Sequence, residues 1–179
     1  MKERILDTAD QLFYHRGIRA VGVDTIAAEV GISKRTLYNH FPSKDSLVAA
    51  YLMQRFVPIP HSDKPPFEQI MRSFERLAQG FGMKGFRGCP FVNAVAEIGE
   101  TDSEARKIAR AFKEDRRAWL QDKVTKLGVA DPEMLATQLA ILVDGAIAQD
   151  LVRRDPAVAL TAKEAARVLL TNAGAAPKA

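Results

Sequence analysis

Apolar residues recur along this 179-residue chain at spacings of three and four, the period of helices that each bury one face, and the pattern predicts an all-α fold. In residues 2–16 the stripe is Ile5, Leu6, Ala9, Leu12 and Phe13, and Gly17 closes the helix. Ile26, Ala27 and Val30 share the face of a second, short helix. Gly31 stops it, because glycine enters the left-handed state that reverses a chain without a steric cost. Ile32 covers the corner and Ser33 is a good N-cap for a third helix, whose Leu37 and Phe41 point back at Ile26 and Val30. Pro42 ends that helix and Ser43 caps the next, which carries Leu47, Val48, Tyr51, Leu52 and Phe56.

The run VPIPHSDKPPF, with four prolines, then predicts an exposed connection. Phe67 to Phe81 reads as an aromatic amphipathic helix through Ile70, Met71, Phe74 and Leu77, and a short helix follows in GMKGFRGCPFVNAVAEIGE. Residues 102–127 predict a long helix capped by Asp102 or Ser103, with an apolar line of Ile108, Ala111, Phe112, Trp119 and Leu120. Its many cations interleave with acids, which favours a solvated face. Two more helices, at about 133–153 and 156–171, have broad apolar faces with Ala140, Gly145 and Ala146 permitting close approach, before an Ala, Pro and Lys tail that reads as frayed.

The outward side of the third helix changes the picture from architecture to chemistry. Between Gly31 and Lys44 there are three cations and no acid. Lys34 and Arg35 can donate to guanine O6 and N7, Asn39 can pair with adenine at two atoms, and the Thr36 methyl can meet a thymine methyl. Each good pair discriminates by roughly 1–3 kcal/mol, and a helix this short fits a major groove. Tyr38, His40 and Lys44 suit phosphates, which fix register and carry no sequence information. Lys2 and Arg4 are further cations near the N-terminus that can reach phosphates.

The run GVDTIAAEVGISKRTLYNHFPSKDSL, preceded by ILDTADQLFYHRGI, resembles the N-terminal domain of the tetracycline-repressor (TetR) family of bacterial transcription regulators, over roughly the first 50 residues. The resemblance implies an all-helical homodimer with a three-helix helix-turn-helix DNA-binding domain, here residues 1–47, and a helical ligand-binding and dimerisation domain, here 48–179. It also aligns Tyr38, His40 and Lys44 with positions that touch phosphates. Gly22 departs from the pattern, since many members place Ser or Thr there as a cap and phosphate contact; backbone amides or Thr25 must then serve. RGCPFVNAVAE looks like a segment of some members' effector domains.

Candidate effector contacts are Phe74, Cys89, Phe91, Asn93, Glu97, Phe112, Arg116 and Trp119. Asn93 and Glu97, four apart on an otherwise apolar helix, need partners if buried and so are candidates to orient a ligand. The last two helices bury more than one small core needs, which predicts pairing with a second copy and two recognition helices on a near-palindromic duplex. A formal charge of +4 agrees with a nucleic-acid partner. The expected partners are therefore double-stranded operator DNA, a small-molecule effector and a second copy of the chain, with no membrane. One cysteine excludes an internal disulfide, and the start of the chain carries no apolar signal segment, so a reducing cytoplasm is expected. Three scattered histidines, one cysteine and the lack of a Gly-rich phosphate loop argue against an enzyme, a metal site or a cofactor. The rival mechanism keeps DNA binding and makes Cys89 a redox or electrophile sensor.

Overall fold

A computed structural model of the chain describes residues 1–99 and 103–175, and among these there are helices and no strands. The helices are α1 (Lys2–Arg16), α2 (Val23–Val30), α3 (Lys34–His40), α4 (Lys44–Arg55), α5 (Pro66–Phe81), α6 (Pro90–Ile98), α7 (Glu104–Lys126), α8 (Pro132–Arg153) and α9 (Ala157–Asn172). They form two compact units, one of residues 1–58 and 89–112, the other of 59–88 and 113–175 among the described residues. The first unit is not the 1–47 segment alone. It gains α4 and α6 because the apolar face of α4, Leu47, Val48, Tyr51 and Leu52, is buried, with Tyr51 edge-on to Phe13 of α1 at 5.6 Å between ring centroids.

In this unit α1 to α3 close over Ile5, Ala9, Phe13, Ile26, Ala27, Val30, Leu37 and Phe41, all buried. The direction changes fall where the sequence supplies the means. Gly31 is left-handed at φ 74, ψ 39, and the Ile32 amide donates to the Ala27 carbonyl at 2.9 Å, satisfying a helix-end acceptor. Ser33 Oγ accepts from the Thr36 amide at 3.0 Å. Ser43 and Ser46 form a reciprocal cap at the start of α4, with bonds of 3.0 and 3.1 Å.

In the second unit α5, the C-terminal part of α7, α8 and α9 enclose Phe67, Ile70, Met71, Phe74, Leu120, Val124, Leu135, Leu139 and Leu170. Ala136, Ala146, Ala159, Ala162 and Ala166 are buried where α8 and α9 lie against each other. Asp131 caps α8 by accepting from the Met134 amide at 3.0 Å, with Pro132 as its first residue. Lys163 of α9 bonds Glu75 of α5 at 2.6 Å.

The long helix is described from Glu104; of its two expected caps, Asp102 lies outside the described residues and Ser103 serves, accepting from the Arg106 amide at 3.3 Å. Two expectations need correction. Ala111 is exposed, because the buried line of α7 passes through Ala105, Ile108, Ala109, Leu120 and Val124. The tail does not fray at Thr171: α9 continues to Asn172, Gly174 turns at φ 84, and the Ala175 amide returns to the Leu170 carbonyl at 2.9 Å, leaving Ala175 buried.

Candidate nucleic-acid interface

The recognition surface follows from one buried residue. Leu37 is completely buried on the inner side of α3, so Lys34, Arg35, Tyr38 and Asn39 are exposed on the outer sides. Thr36 and His40 are half-buried at the margins, and Lys44 is half-buried at the start of α4. The Thr36 hydroxyl is engaged, 2.9 Å from Ser33 Oγ, which leaves its methyl as the group to offer a base. Thr25 is exposed in the first turn of α2, whose N-cap Gly22 makes no side-chain bond. Its hydroxyl therefore stands at a helix N-terminus where amides favour an anion.

Charge along this face is less uniform than the sequence between Gly31 and Lys44 implies. Asp24, on the first turn of α2, reaches Lys34 Nζ at 2.5 Å, both groups being exposed. Such a pair is weak in water and easily exchanged for a phosphate or a base. Arg4 is exposed but its guanidinium is engaged within the chain. Its Nη2 donates to the Val30 carbonyl at 3.1 Å, at the negative end of α2, and Lys2 Nζ lies 5.5 Å from the centroid of the Phe41 ring.

The joint of α1 and α4 contains residues that the sequence pattern did not single out. Arg55 grips Asp10 with two bonds, Nη2 to Oδ2 at 2.8 Å and Nε to Oδ1, and its guanidinium lies 4.1 Å from the centre of the Tyr14 ring. Desolvation, the largest single influence, would lower the guanidinium's pKa; the hydrogen bond to Asp10 together with the charges of Asp10, Tyr51 and Tyr14 outweighs it and holds the group above its ordinary value. Burial pushes the neighbouring Tyr51 phenol well up, against the opposing pull of Arg55. Gln54 adds a 3.0 Å bond to Asp7. The partners are 45 and 47 positions apart, so no helical spacing could reveal them.

The expected effector residues divide between the units. In the first, Phe91 and Phe112 stack with centroids 3.8 Å apart, and Phe56 meets both edge-on at 6.2 and 5.4 Å. Cys89 is buried at the N-cap of α6, and Asn93 is half-buried on that helix. Glu97 has a partner within the chain. Its Oε2 accepts from the Arg19 amide at 2.8 Å, so the carboxylate is directed at the corner between α1 and α2. In the second unit Phe74 is completely buried and Trp119 packs partly buried against the same core. Burial lowers the pKa of Arg116, with Asp115 opposing the shift.

Comparison with known proteins agrees with this geometry. Residues 5–51 match the family described as bacterial regulatory proteins, TetR family, and residues 66–165 match the C-terminal domain described as transcriptional regulator LmrA/YxaF-like. The helix-turn-helix regulator YxaF of Bacillus subtilis is 25% identical over 97% of this chain and 96% of its own. A TetR-type regulator from Streptomyces avermitilis superimposes with a TM-score of 0.88 at 31% identity, covering 98% of both chains. Another, from Streptomyces coelicolor, gives 0.86 at 30% identity over 96% of this chain and 94% of that one. With a helix-turn-helix head and an LmrA/YxaF-like C-terminal domain both matched, this chain belongs to the TetR family of DNA-binding transcriptional regulators.

Proposed function

We propose that the protein is a repressor that binds a near-palindromic operator as a dimer and leaves it when a small molecule enters its C-terminal domain, with residues 1–47 as the reading head and 48–179 as the sensing and pairing part. The observation that carries the DNA half is the outward face of α3, where Arg35, Tyr38 and Asn39 are exposed around the buried Leu37. In this reading Lys34, Arg35, Thr36 and Asn39 meet base edges, while Thr25, Tyr38, His40 and Lys44 meet phosphates.

The dimer half rests on α8. This helix is long and apolar, yet most of its apolar length is not buried in the single chain. Met134, Ile141 and Val152 are strongly exposed, and with Gln138, Gly145 and Ala148 they fall alternately four and three apart, forming one stripe. Leu160 and Val168 are exposed apolar residues on the neighbouring α9. A second copy of α8 and α9 covers such a surface, and the dimer then offers two recognition helices to one duplex.

The proposed effector is an apolar or amphipathic molecule. Phe91 and Phe112, flanked by Cys89 and Asn93, are the proposed contacts in the first unit; Phe74, Arg116 and Trp119 are proposed on the same terms in the second. Arg116, half-buried and 3.8 Å from Asp115, is the proposed polar contact in that set. The Arg55–Asp10 grip makes α4 and α1 move together, so a displaced α4 carries the whole head. A coupling of about 1–3 kcal/mol changes occupancy severalfold to a hundredfold. Sensing through Cys89 has less support, since a thiol only 8% exposed is poorly accessible to an oxidant.

Footprinting on the DNA upstream of its own gene tests the proposal. A protected near-palindrome whose affinity falls steeply with salt is expected, and binding without sequence preference would overturn it. A thermal-shift screen of small molecules then finds the effector, which raises the melting point and releases the duplex.

A further inference from the structure

The corner between α1 and α2 is shaped to receive a carboxylate from far along the chain. Gly17 ends α1 at φ 91 and ψ 149, a conformation that side-chain-bearing residues rarely adopt. Glu97, on the last turn of α6, covers the bare face of that glycine: a Cβ placed there would lie 3.0 Å from Oε2 and 3.2 Å from Oε1. The same Oε2 takes the Arg19 amide at 2.8 Å, across 78 positions of sequence. The fit is reciprocal, because the Arg19 guanidinium comes within 4.0 Å of where a Cβ on Gly99 would stand, and Gly99 also has a positive φ, of 84. Gly99 is in turn held from α7, whose Arg106 Nη2 donates to its carbonyl. Each side thus presents a charged side chain to a glycine of the other.

We propose that Glu97 is the positioning residue that couples the α6–α7 junction to the segment entering the helix-turn-helix, a connection through the α1–α2 corner that is additional to the one through α4. The proposal rests on the ligand-controlled reading above. The bond is solvent-exposed and single, whereas the head closes over a buried core that does not include Glu97. Its free energy is therefore small against folding, yet comparable with the coupling that shifts a regulator between two states. Glu97 and Arg19 also line a cleft of about 600 Å³ with Ile18, Lys44, Val48 and Ile98, so the corner has room to separate when the bond breaks.

The test is hydrogen exchange on the full-length protein, with a duplex selected by the wild type from a randomised pool. Without DNA, Glu97→Ala is expected to speed exchange in residues 18–22 about five- to tenfold, the loss of one charge-assisted bond, with Glu97→Gln in between. Because coupling is reciprocal, the duplex is expected to slow exchange in residues 90–98 of the wild type. In Glu97→Ala the duplex should bind within about threefold of the wild type while at least about half of that distant response is lost, and Glu97→Gln should restore most of it. A merely structural Glu97 would instead weaken duplex binding and melting while leaving the 90–98 response intact, and that result overturns the proposal. So does unchanged exchange at the corner. Should Glu97→Ala fail to fold, Glu97→Asp, one carbon too short for the Arg19 amide, decides the same comparison. If the wild type selects no duplex at all, the DNA-binding reading fails and this proposal with it; selection with an undiminished response in the variant removes the proposal alone.

Discussion

Lys34 illustrates how one side chain gains meaning from a residue ten positions away. The sequence marks it as a base-reading cation; the structure pairs it with Asp24 on the preceding helix. Asp24→Asn should therefore tighten operator binding about three- to tenfold at low salt and steepen the salt dependence by about one phosphate equivalent, measured by fluorescence anisotropy at several salt concentrations. Lys34→Ala should move both quantities the other way. Arg55 and Asp10 form a different kind of pair, their side chains only 25% and 15% exposed. Removing one partner leaves a half-buried charge, so Asp10→Ala should cost about 2–4 kcal/mol of stability in urea unfolding, more than surface pairs do. The outer residues of α3 were legible in the sequence because local spacing decides which side of a short helix faces out. Asp10, Tyr14 and Arg19 were not, since their partners arrive from helices tens of residues away and leave no periodic signal.

Helix boundaries were largely legible because the chain marks them with glycine, proline and capping serine. Ser33 and Ser43 act where hydroxyls next to apolar runs say they should. Glu97 shows what spacing leaves open: a polar residue on an apolar helix needs a partner, but the sequence cannot tell a ligand from a backbone amide in a distant turn, here that of Arg19. The α5–α9 contact shows what a surface pair contributes. The Lys163 hydrogen bond holds the Glu75 carboxyl below its ordinary range, outweighing the desolvation that acts the other way. A depressed carboxylate stabilises the fold above its unfolded pKa and ceases to do so as pH falls through the folded one. Wild type should thus exceed Glu75→Gln by at most about 1 kcal/mol near neutrality, given the solvent exposure, and the gap should close below about pH 4 in acid unfolding followed by circular dichroism.

For the molecule as a whole, the excess of apolar surface on the last two helices was legible from composition, but which part of it stays uncovered was not. The interior of α8 takes Leu135, Ala136, Leu139 and Ala146 and leaves Ile141 and Val152 outside. Ile141→Arg, at a position 65% exposed in one chain, should leave the protomer folded, give a monomer in size-exclusion chromatography with light scattering, and reduce operator affinity at least about a hundredfold. The stripe on α8 lies in a different compact unit from the recognition helix. A full-length chain carrying Arg35→Ala and Asn39→Ala, co-expressed in excess, should accordingly form mixed pairs with one working reading head each and switch a reporter on without any inducer. Copies that have lost their grip on DNA can in this way silence intact ones, and regulation by this chain becomes sensitive to the dose of its own damaged forms.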